Sequence, residues 1–100
     1  MNKWADFGIS AVSYSQDKTK IHKLKVHEDN VESMGQAVEK RRKHILAGIK
    51  KGQTFTTVFQ KYGGLQKGEE VNIIMIDGEE FLRTDNKKEK SDYLENLTEY

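Results

Sequence analysis

Residues 71–84 read VNIIMIDGEEFLRT, two runs of β-forming residues on either side of Asp77-Gly78. Asp-Gly is a preferred pair for the two-residue type I′ turn of a β-hairpin. Such a turn sets the strand register, since a slip by one residue would move every side chain to the other face. The predicted cross-strand pairs are Ile73 with Leu82, Ile74 with Phe81, and Met75 with Glu80. Apolar side chains lie on both faces of this hairpin, which therefore needs cover on both sides.

The residues before this hairpin predict three more strands. Residues 7–14 are rich in β-forming and small residues, and residues 21–26 alternate between buried and solvated types, so the two segments form a predicted hairpin. Residues 54–59 have strong strand propensity, and the glycine-rich segment 61–68 is predicted to be a loop. Strand 7–14 is expected at a sheet edge, where it could pair with a second copy, so the protein is expected to be a monomer or a homodimer.

A single helix is predicted from Glu39 to Lys51, closed by Gly52 where left-handed C-caps form. Its inner arc consists of Val38, Ile45, Leu46 and Ile49, and its outer arc carries Lys40, Lys43, Lys50 and Lys51. Arg42 interrupts the apolar arc. Either the helix begins after Glu39, or the arginine extends to solvent or pairs with a carboxylate.

These elements follow the order ββαβββ, which predicts an α+β fold: a small antiparallel sheet of about five strands packed on one helix. The length of 100 residues fits one domain, residues 1–100, and is too short for two. An ordered C-terminal segment, reached through the charged loop 85–92, is expected to cover the second face of the 71–84 hairpin. Its apolar and aromatic residues are Tyr93, Leu94, Leu97 and Tyr100.

Composition excludes several classes of site. A chain without cysteine has no disulfide, thiolate zinc site, iron–sulfur cluster or cysteine nucleophile, which is consistent with a reducing compartment. The charged start, Met1–Asp6, does not resemble a signal peptide, and the chain has no long apolar run. We therefore expect a cytoplasmic protein that does not enter a membrane.

The net charge of +1 hides two oppositely charged parts. Residues 1–67 hold thirteen Lys and Arg against six Asp and Glu, a net of +7, whereas residues 68–100 hold four against ten, a net of −6. One interpretation is that the two parts compensate each other within the folded domain. The other is a dipolar molecule with one face for a polyanion and another for a basic partner.

No sequence motif predicts catalysis or a cofactor. The segment Gly63–Gly68 lacks the spacing and the Lys-Ser/Thr ending of a phosphate-binding loop. His22 and His27 are expected on opposite faces of one strand, as are the neighbours Glu79 and Glu80, so neither pair suits a metal or general acid–base catalysis. We expect no cofactor, no metal and no enzymatic activity.

Arg83 and Asp85 lie two residues apart near a strand end, where both side chains can project from the same side. The spacing predicts an ion pair that anchors the C-terminal segment, with Asp92 as another partner for Arg83. A binding role for these residues is the less favoured interpretation.

Several segments together resemble a family of small bacterial proteins known as the domain of unknown function family 3892. They are residues 9–14, 25–29, 45–52 with 55–57, and 81–85 with 92–97. The stretch from Phe81-Leu82-Arg83-Thr84-Asp85 to Leu94-Glu95-Asn96-Leu97 is the most distinctive. The chain departs from the family at Arg41-Arg42-Lys43, where members have a Ser-Arg-Glu-like helix start, and at Thr98, where members have proline. The resemblance supports the fold and implies no activity.

The basic residues favour a non-enzymatic module that binds nucleic acid or a phosphorylated small molecule, with a merely solvated lysine-rich face as the other interpretation. With the resemblance above, we expect a bacterial or phage origin. The predicted anion-binding residues are Lys18, Lys20, Lys23, Lys25, Lys40, Lys43, Lys50 and Lys51, with Trp4, Tyr14 and Tyr62 available for stacking. The alternative is a protein–protein inhibitor or adaptor, such as a phage counter-defence protein. Its acidic C-terminal third would dock on a basic groove of the target through Glu95 and Glu99.

Overall fold

A computed structural model of the chain describes residues 5–28, 35–61, 63–85, 87–94 and 97–100. Eight strands and one helix follow in chain order: β1 (Phe7–Tyr14), β2 (Ile21–Glu28), β3 (Val38–Arg41), α1 (Arg42–Lys50), β4 (Phe55–Lys61), β5 (Gly64–Glu70), β6 (Asn72–Ile76), β7 (Glu79–Arg83) and β8 (Thr98–Glu99). The α+β class and the single helix are confirmed. In the described parts of the chain, no helix is long and apolar enough to cross a membrane.

The main sheet has the order β3-β2-β1-β4-β5, and β8 also pairs with β1. It is mixed rather than antiparallel, because β1 runs parallel to β4 over residues 7–9 and parallel to β8 at Ala11 and Val12. The prediction that strand 7–14 lies at an edge is therefore wrong, whereas a monomer or a homodimer stays a prediction. Strand β1 carries no charged residue and buries side chains on both faces, as strands covered on both sides do.

The core lies between the main sheet, α1 and the β6–β7 hairpin. Ile9 and Val12 from β1 pack beside Leu24 and Val26 from β2, and Ile45 from α1 closes over them. The other buried members of this cluster are Ile21, Phe55, Val71, Leu82 and Leu94. Burial of Leu94 shows that the C-terminal segment is an ordered part of the fold.

The helix begins at Arg42, not at Glu39. The residues before it form β3, which pairs antiparallel with β2 from Lys23 to Val26. Val38, predicted to face the core, is consequently 51% exposed on the outermost strand. The end of the helix is as predicted: Gly52 has a positive φ of 93° and donates its N–H to the Ile49 carbonyl at 3.0 Å.

Residues 61–68 are a hairpin rather than a loop. Strand β4 continues to Lys61 and β5 starts at Gly64, with Gly63 at a φ of 77° in the turn. Glycine content predicts flexible loops, but pairing with an existing strand satisfies the backbone hydrogen bonds of this segment. The β6–β7 hairpin has the predicted register. Its turn residues Asp77 and Gly78 have φ values of 51° and 81°, as a type I′ turn requires.

Asp17 holds the turn between β1 and β2. Its Oδ1 accepts hydrogen bonds from Ser15 Oγ at 2.7 Å, from Thr19 Oγ1 at 2.8 Å and from the Thr19 N–H at 3.1 Å. These hydrogen bonds, that of Ser15 first, lower the pKa of Asp17 from 3.8 to about 2. Since the folded pKa lies below the unfolded one, the stabilisation is complete above about pH 4 and is lost as the pH falls through about 2.

We therefore expect Asp17→Ala to unfold at a lower urea concentration than wild type at neutral pH. The difference between the two midpoints should shrink as the pH falls from about 4 to about 2, because wild-type Asp17 then becomes protonated. Urea unfolding of both proteins over this range is the measurement. A difference that stays constant down to the lowest pH would contradict the assigned role of the carboxylate.

Candidate functional site

The eight lysines predicted to bind an anion do not form one surface. Four of them pair with glutamates: Lys18 with Glu99 at 2.6 Å, Lys20 with Glu79 at 3.4 Å, Lys23 with Glu39 at 3.5 Å, and Lys50 with Glu80 at 2.7 Å. Lys25 lies over the Tyr100 ring, 4.9 Å from its centroid. The prediction of a common lysine face is therefore wrong, because folding brings the acidic part of the chain onto the basic part.

Lys40, Lys43 and Lys51 remain. None of them has an ion-pair partner within the parts of the chain described by the structure. Lys43 is on the exposed side of α1, together with His44, whereas Lys51 follows the last residue of the helix and Lys40 lies on β3 rather than on the helix as predicted. Two of these three lysines, Lys40 and Lys43, thus lie where β3 turns into α1.

Two adjoining cavities, together called the corner groove, lie at this junction. The first has a volume of about 270 Å³ and is lined by Phe7, Val26, Lys40, His44, Ile45, Gln53 and Phe55. The second has a volume of about 410 Å³ and is lined by Phe7, Val26, Glu28, Gly35, Gln36, Val38 and Lys40. Both share Phe7, Val26 and Lys40, so the groove combines an apolar floor with a charged rim.

The rings of Phe7 and Phe55 form the floor. They stack with centroids 5.1 Å apart and planes 18° from parallel, because the two residues are direct partners in the parallel β1–β4 pairing. Phe55 is buried, and Phe7 is partly exposed to the groove. Gly48 of α1 allows the close approach of the helix, since a Cβ there would lie 2.9 Å from Phe55 Cζ.

The rim of the groove carries both signs of charge, divided between the two cavities. Lys40 and His44 border the first cavity, whose described lining has no carboxylate, and Glu28 borders the second. The groove is therefore suited to a ligand that has both an apolar, planar part and a negative charge.

A cavity of about 500 Å³ lies near Tyr14, at the other end of β1 from Phe7, and is lined in part by Arg83. Arg83 makes a bidentate ion pair with Asp85, with Nε–Oδ1 at 2.6 Å and Nη2–Oδ2 at 2.9 Å, and its Nη1 donates to the Ser91 carbonyl at 2.9 Å. The hydrogen bonds to Asp85 raise the pKa of Arg83, and Arg83 lowers the pKa of Asp85. The guanidinium is occupied by this anchoring role.

Asp92 does not pair with Arg83 as predicted. Its carboxylate, fully buried, accepts hydrogen bonds from the backbone N–H groups of Ile21 at 2.7 Å and Leu82 at 2.8 Å. Arg42 donates to the same carboxylate, with Nε–Oδ2 at 2.7 Å, and also to the Glu80 carbonyl. Asp92 therefore connects β2, β7 and the first residue of α1, which explains why Arg42 occupies an otherwise apolar arc.

Ser10 and His27 form a polar contact that sequence analysis did not predict. Ser10 Oγ lies 2.6 Å from His27 Nε2, and His27 Nδ1 lies 2.8 Å from the Gly35 carbonyl oxygen. A nucleophile and its base can have this spacing. Neither side chain is among the described residues that line the three cavities above.

Some predicted site residues cannot be placed. Trp4, Tyr62 and Glu95 lie outside the described residues. Glu99, predicted to dock on a partner, forms an ion pair with Lys18 of its own chain. Among the residues that the structure describes, no group of three His, Asp or Glu side chains is placed to hold a metal ion.

Sequence analysis missed the corner groove, because Phe7 and Phe55 meet only through a parallel pairing of strands that are far apart in the chain. The signal that could have found it is the phenylalanine at the start of each of these strands. Comparisons with protein-family models, with curated proteins and with solved structures gave no match.

Proposed function

We propose that this protein is a non-enzymatic binding module that holds a phosphate-bearing ligand with an aromatic base, such as single-stranded nucleic acid, in the corner groove. The observation that carries the proposal is the stacked Phe7–Phe55 floor beside Lys40 and His44. We also propose a cytoplasmic location and a bacterial or phage origin, and the resemblance to the domain of unknown function family 3892 stays a proposal. None of these three statements implies an activity.

The aromatic floor would supply the contact to a base. Phe7 is partly exposed on the groove side and is held flat against Phe55, so its ring does not have to be ordered on binding. Stacking of a base on such a ring is worth about 1–3 kcal/mol and tolerates different bases. The ligand would therefore be recognised by shape and charge more than by sequence.

The lysines near the groove would supply the contacts to phosphate. Lys40 is on its rim, and Lys43 lies within the same turn of α1 as His44. Unlike the four lysines paired with glutamate, neither needs to give up an intramolecular partner to bind an anion. Few phosphates would be neutralised, so we expect weak binding that depends on salt.

The test is binding of a fluorescent oligonucleotide of about ten nucleotides, as DNA and as RNA, at about 50 and about 200 mM salt. The double charge reversal Lys40→Glu with Lys43→Glu should weaken binding by at least about tenfold. It should also flatten the salt dependence, by about 0.7 in log–log slope for each phosphate of the single strand that a lysine no longer neutralises.

The matched control is Lys87→Glu with Lys88→Glu, which makes the same change in net charge on two exposed lysines away from the groove. The control should bind as wild type does. Equal losses in both variants would show that only net charge matters, and binding that is absent or independent of salt would refute the proposal. Competition by a mononucleotide would assign the site to a small phosphorylated ligand instead of a strand.

A further inference from the structure

The C-terminal strand β8 occupies an edge that the rest of the sheet leaves open. Strand β4 pairs with β1 only at Phe7–Ile9, through its residues 55–57. Beyond Thr57, β4 pairs with β5 alone. The second half of the same β1 edge is taken by β8, which pairs at Ala11 and Val12. The residue after β8, Tyr100, donates its N–H to the Val12 carbonyl at 3.1 Å.

Three side chains fix the direction and register of this tail. Glu99 pairs with Lys18 at 2.6 Å, and the Tyr100 ring lies beneath the Nζ atoms of Lys23 and Lys25, at 5.4 and 4.9 Å. The Tyr100 hydroxyl donates to Glu39 at 3.5 Å. Leu97 is half-buried and packs against the core. The seat of β8 thus accepts an apolar residue, an acid two positions later and an aromatic residue directly after the acid, in a strand parallel to β1.

The tail is held mainly by contacts at the surface. Thr98, Glu99 and Tyr100 are exposed, and Tyr100 keeps 41% of its surface accessible. An exposed ion pair and a two-residue strand contribute little each, so this end belongs to the part of the structure that opens most easily. The anchor of the segment is earlier, at Leu94, which is buried and donates its N–H to the Tyr14 hydroxyl.

We propose that the seat of β8 is a docking site for an extended segment of a partner protein in which an acidic residue precedes an aromatic one, and that the chain's own tail occupies it in competition. When the tail leaves, Lys18, Lys23 and Lys25 lose their acidic and aromatic partners, and β1 offers unpaired backbone groups. Addition of a strand supplies those hydrogen bonds, and the lysines select the side chains.

A labelled peptide with the sequence of residues 93–100, added to the full-length protein, tests the site by fluorescence anisotropy. Wild type should bind it weakly, because a tethered tail competes at an effective concentration of about millimolar. Glu99→Lys places the tail lysine against Lys18 and should increase peptide affinity by up to about tenfold. Lys18→Glu weakens the tail and the wild-type peptide alike, so two peptides are compared on each protein. Lys18→Glu should bind a peptide with lysine in place of Glu99 more tightly than the wild-type peptide, and the protein with Lys18 should show the reverse order.

Equal affinity of the wild-type peptide for wild type and Glu99→Lys, or the same order of affinity for the two peptides with and without Lys18, would overturn the proposal. So would a dimer of the wild type in light scattering that Glu99→Lys abolishes, because the seat would then serve a second copy of this chain. Tyr100→Ala replaces an exposed side chain outside the buried core and provides a second variant that should also raise peptide affinity. The charge reversals at Lys40 and Lys43 should leave peptide binding unchanged, which separates this site from the corner groove.

Discussion

Replacing Asp92 with alanine is expected to lower the free energy of unfolding by about 3–5 kcal/mol, the cost of removing one partner of a buried ion pair. The carboxylate is fully buried and accepts two backbone N–H groups in addition to Arg42. Alanine leaves those N–H groups without an acceptor and leaves the Arg42 guanidinium without its carboxylate partner. Since small domains are stable by about 5–15 kcal/mol, this loss removes a large part of the total.

Urea unfolding of the variants measures this effect, with Glu79→Ala as the control. Glu79 pairs with Lys20 at 3.4 Å on the surface, and its loss should cost at most about 1 kcal/mol. Arg42→Met should cost less than Asp92→Ala, because Asp92 keeps both backbone donors. Adding Arg42→Met to Asp92→Ala should restore some stability, because it removes the positive charge that has lost its partner. An Asp92→Ala variant no less stable than Glu79→Ala would refute the assigned role.

The elements that sequence analysis predicted correctly are those specified by neighbouring residues. The β6–β7 register follows from Asp77-Gly78, whose backbone angles depend on those two residues and not on the rest of the fold. The helix end at Gly52 follows in the same way. These features can be predicted without knowing which strands are neighbours.

The helix start could not be predicted, because a residue fifty positions away determines it. Arg42 becomes the first helical residue while its guanidinium binds Asp92, and the residues before it extend β2 as strand β3. Local periodicity favours a helix over the β3 residues, since Val38 falls on the same arc as Ile45. Pairing with a strand competes with helix propensity there and prevails.

The charge pattern predicted the arrangement of ion pairs better than it predicted a binding face. Lys18, Lys20 and Lys50 of the basic part all pair with glutamates of the acidic part. This is the internal compensation that opposite charges in one domain favour. Lys40 and Lys43 are exceptions, since neither pairs with an acidic side chain among the described residues, and only the folded chain shows which lysines these are.

Substituting Gly68 with alanine is expected to cost about 2–3 kcal/mol, at the upper end of what one extra methyl group costs in a packed interior. A Cβ at this position of β5 would overlap Thr57 Oγ1 and lie 3.0 Å from the Thr57 carbonyl oxygen. Thr57 is 1% exposed and accepts a hydrogen bond from the Glu69 N–H at 2.9 Å, so it cannot move aside without leaving that donor unpaired.

Gly64, in the same strand, is the control, because nothing lies within 4 Å of a Cβ built there. Gly64→Ala should change stability by less than about 1 kcal/mol, and reduced freedom of the unfolded chain can make that change favourable. Thr57→Ala removes the hydroxyl that the new methyl group overlaps, so the double variant Gly68→Ala with Thr57→Ala should be more stable than the two separate losses add up to. Strict additivity, or equal effects at Gly68 and Gly64, would show that β4 and β5 do not approach as closely at Thr57 as the packing requires.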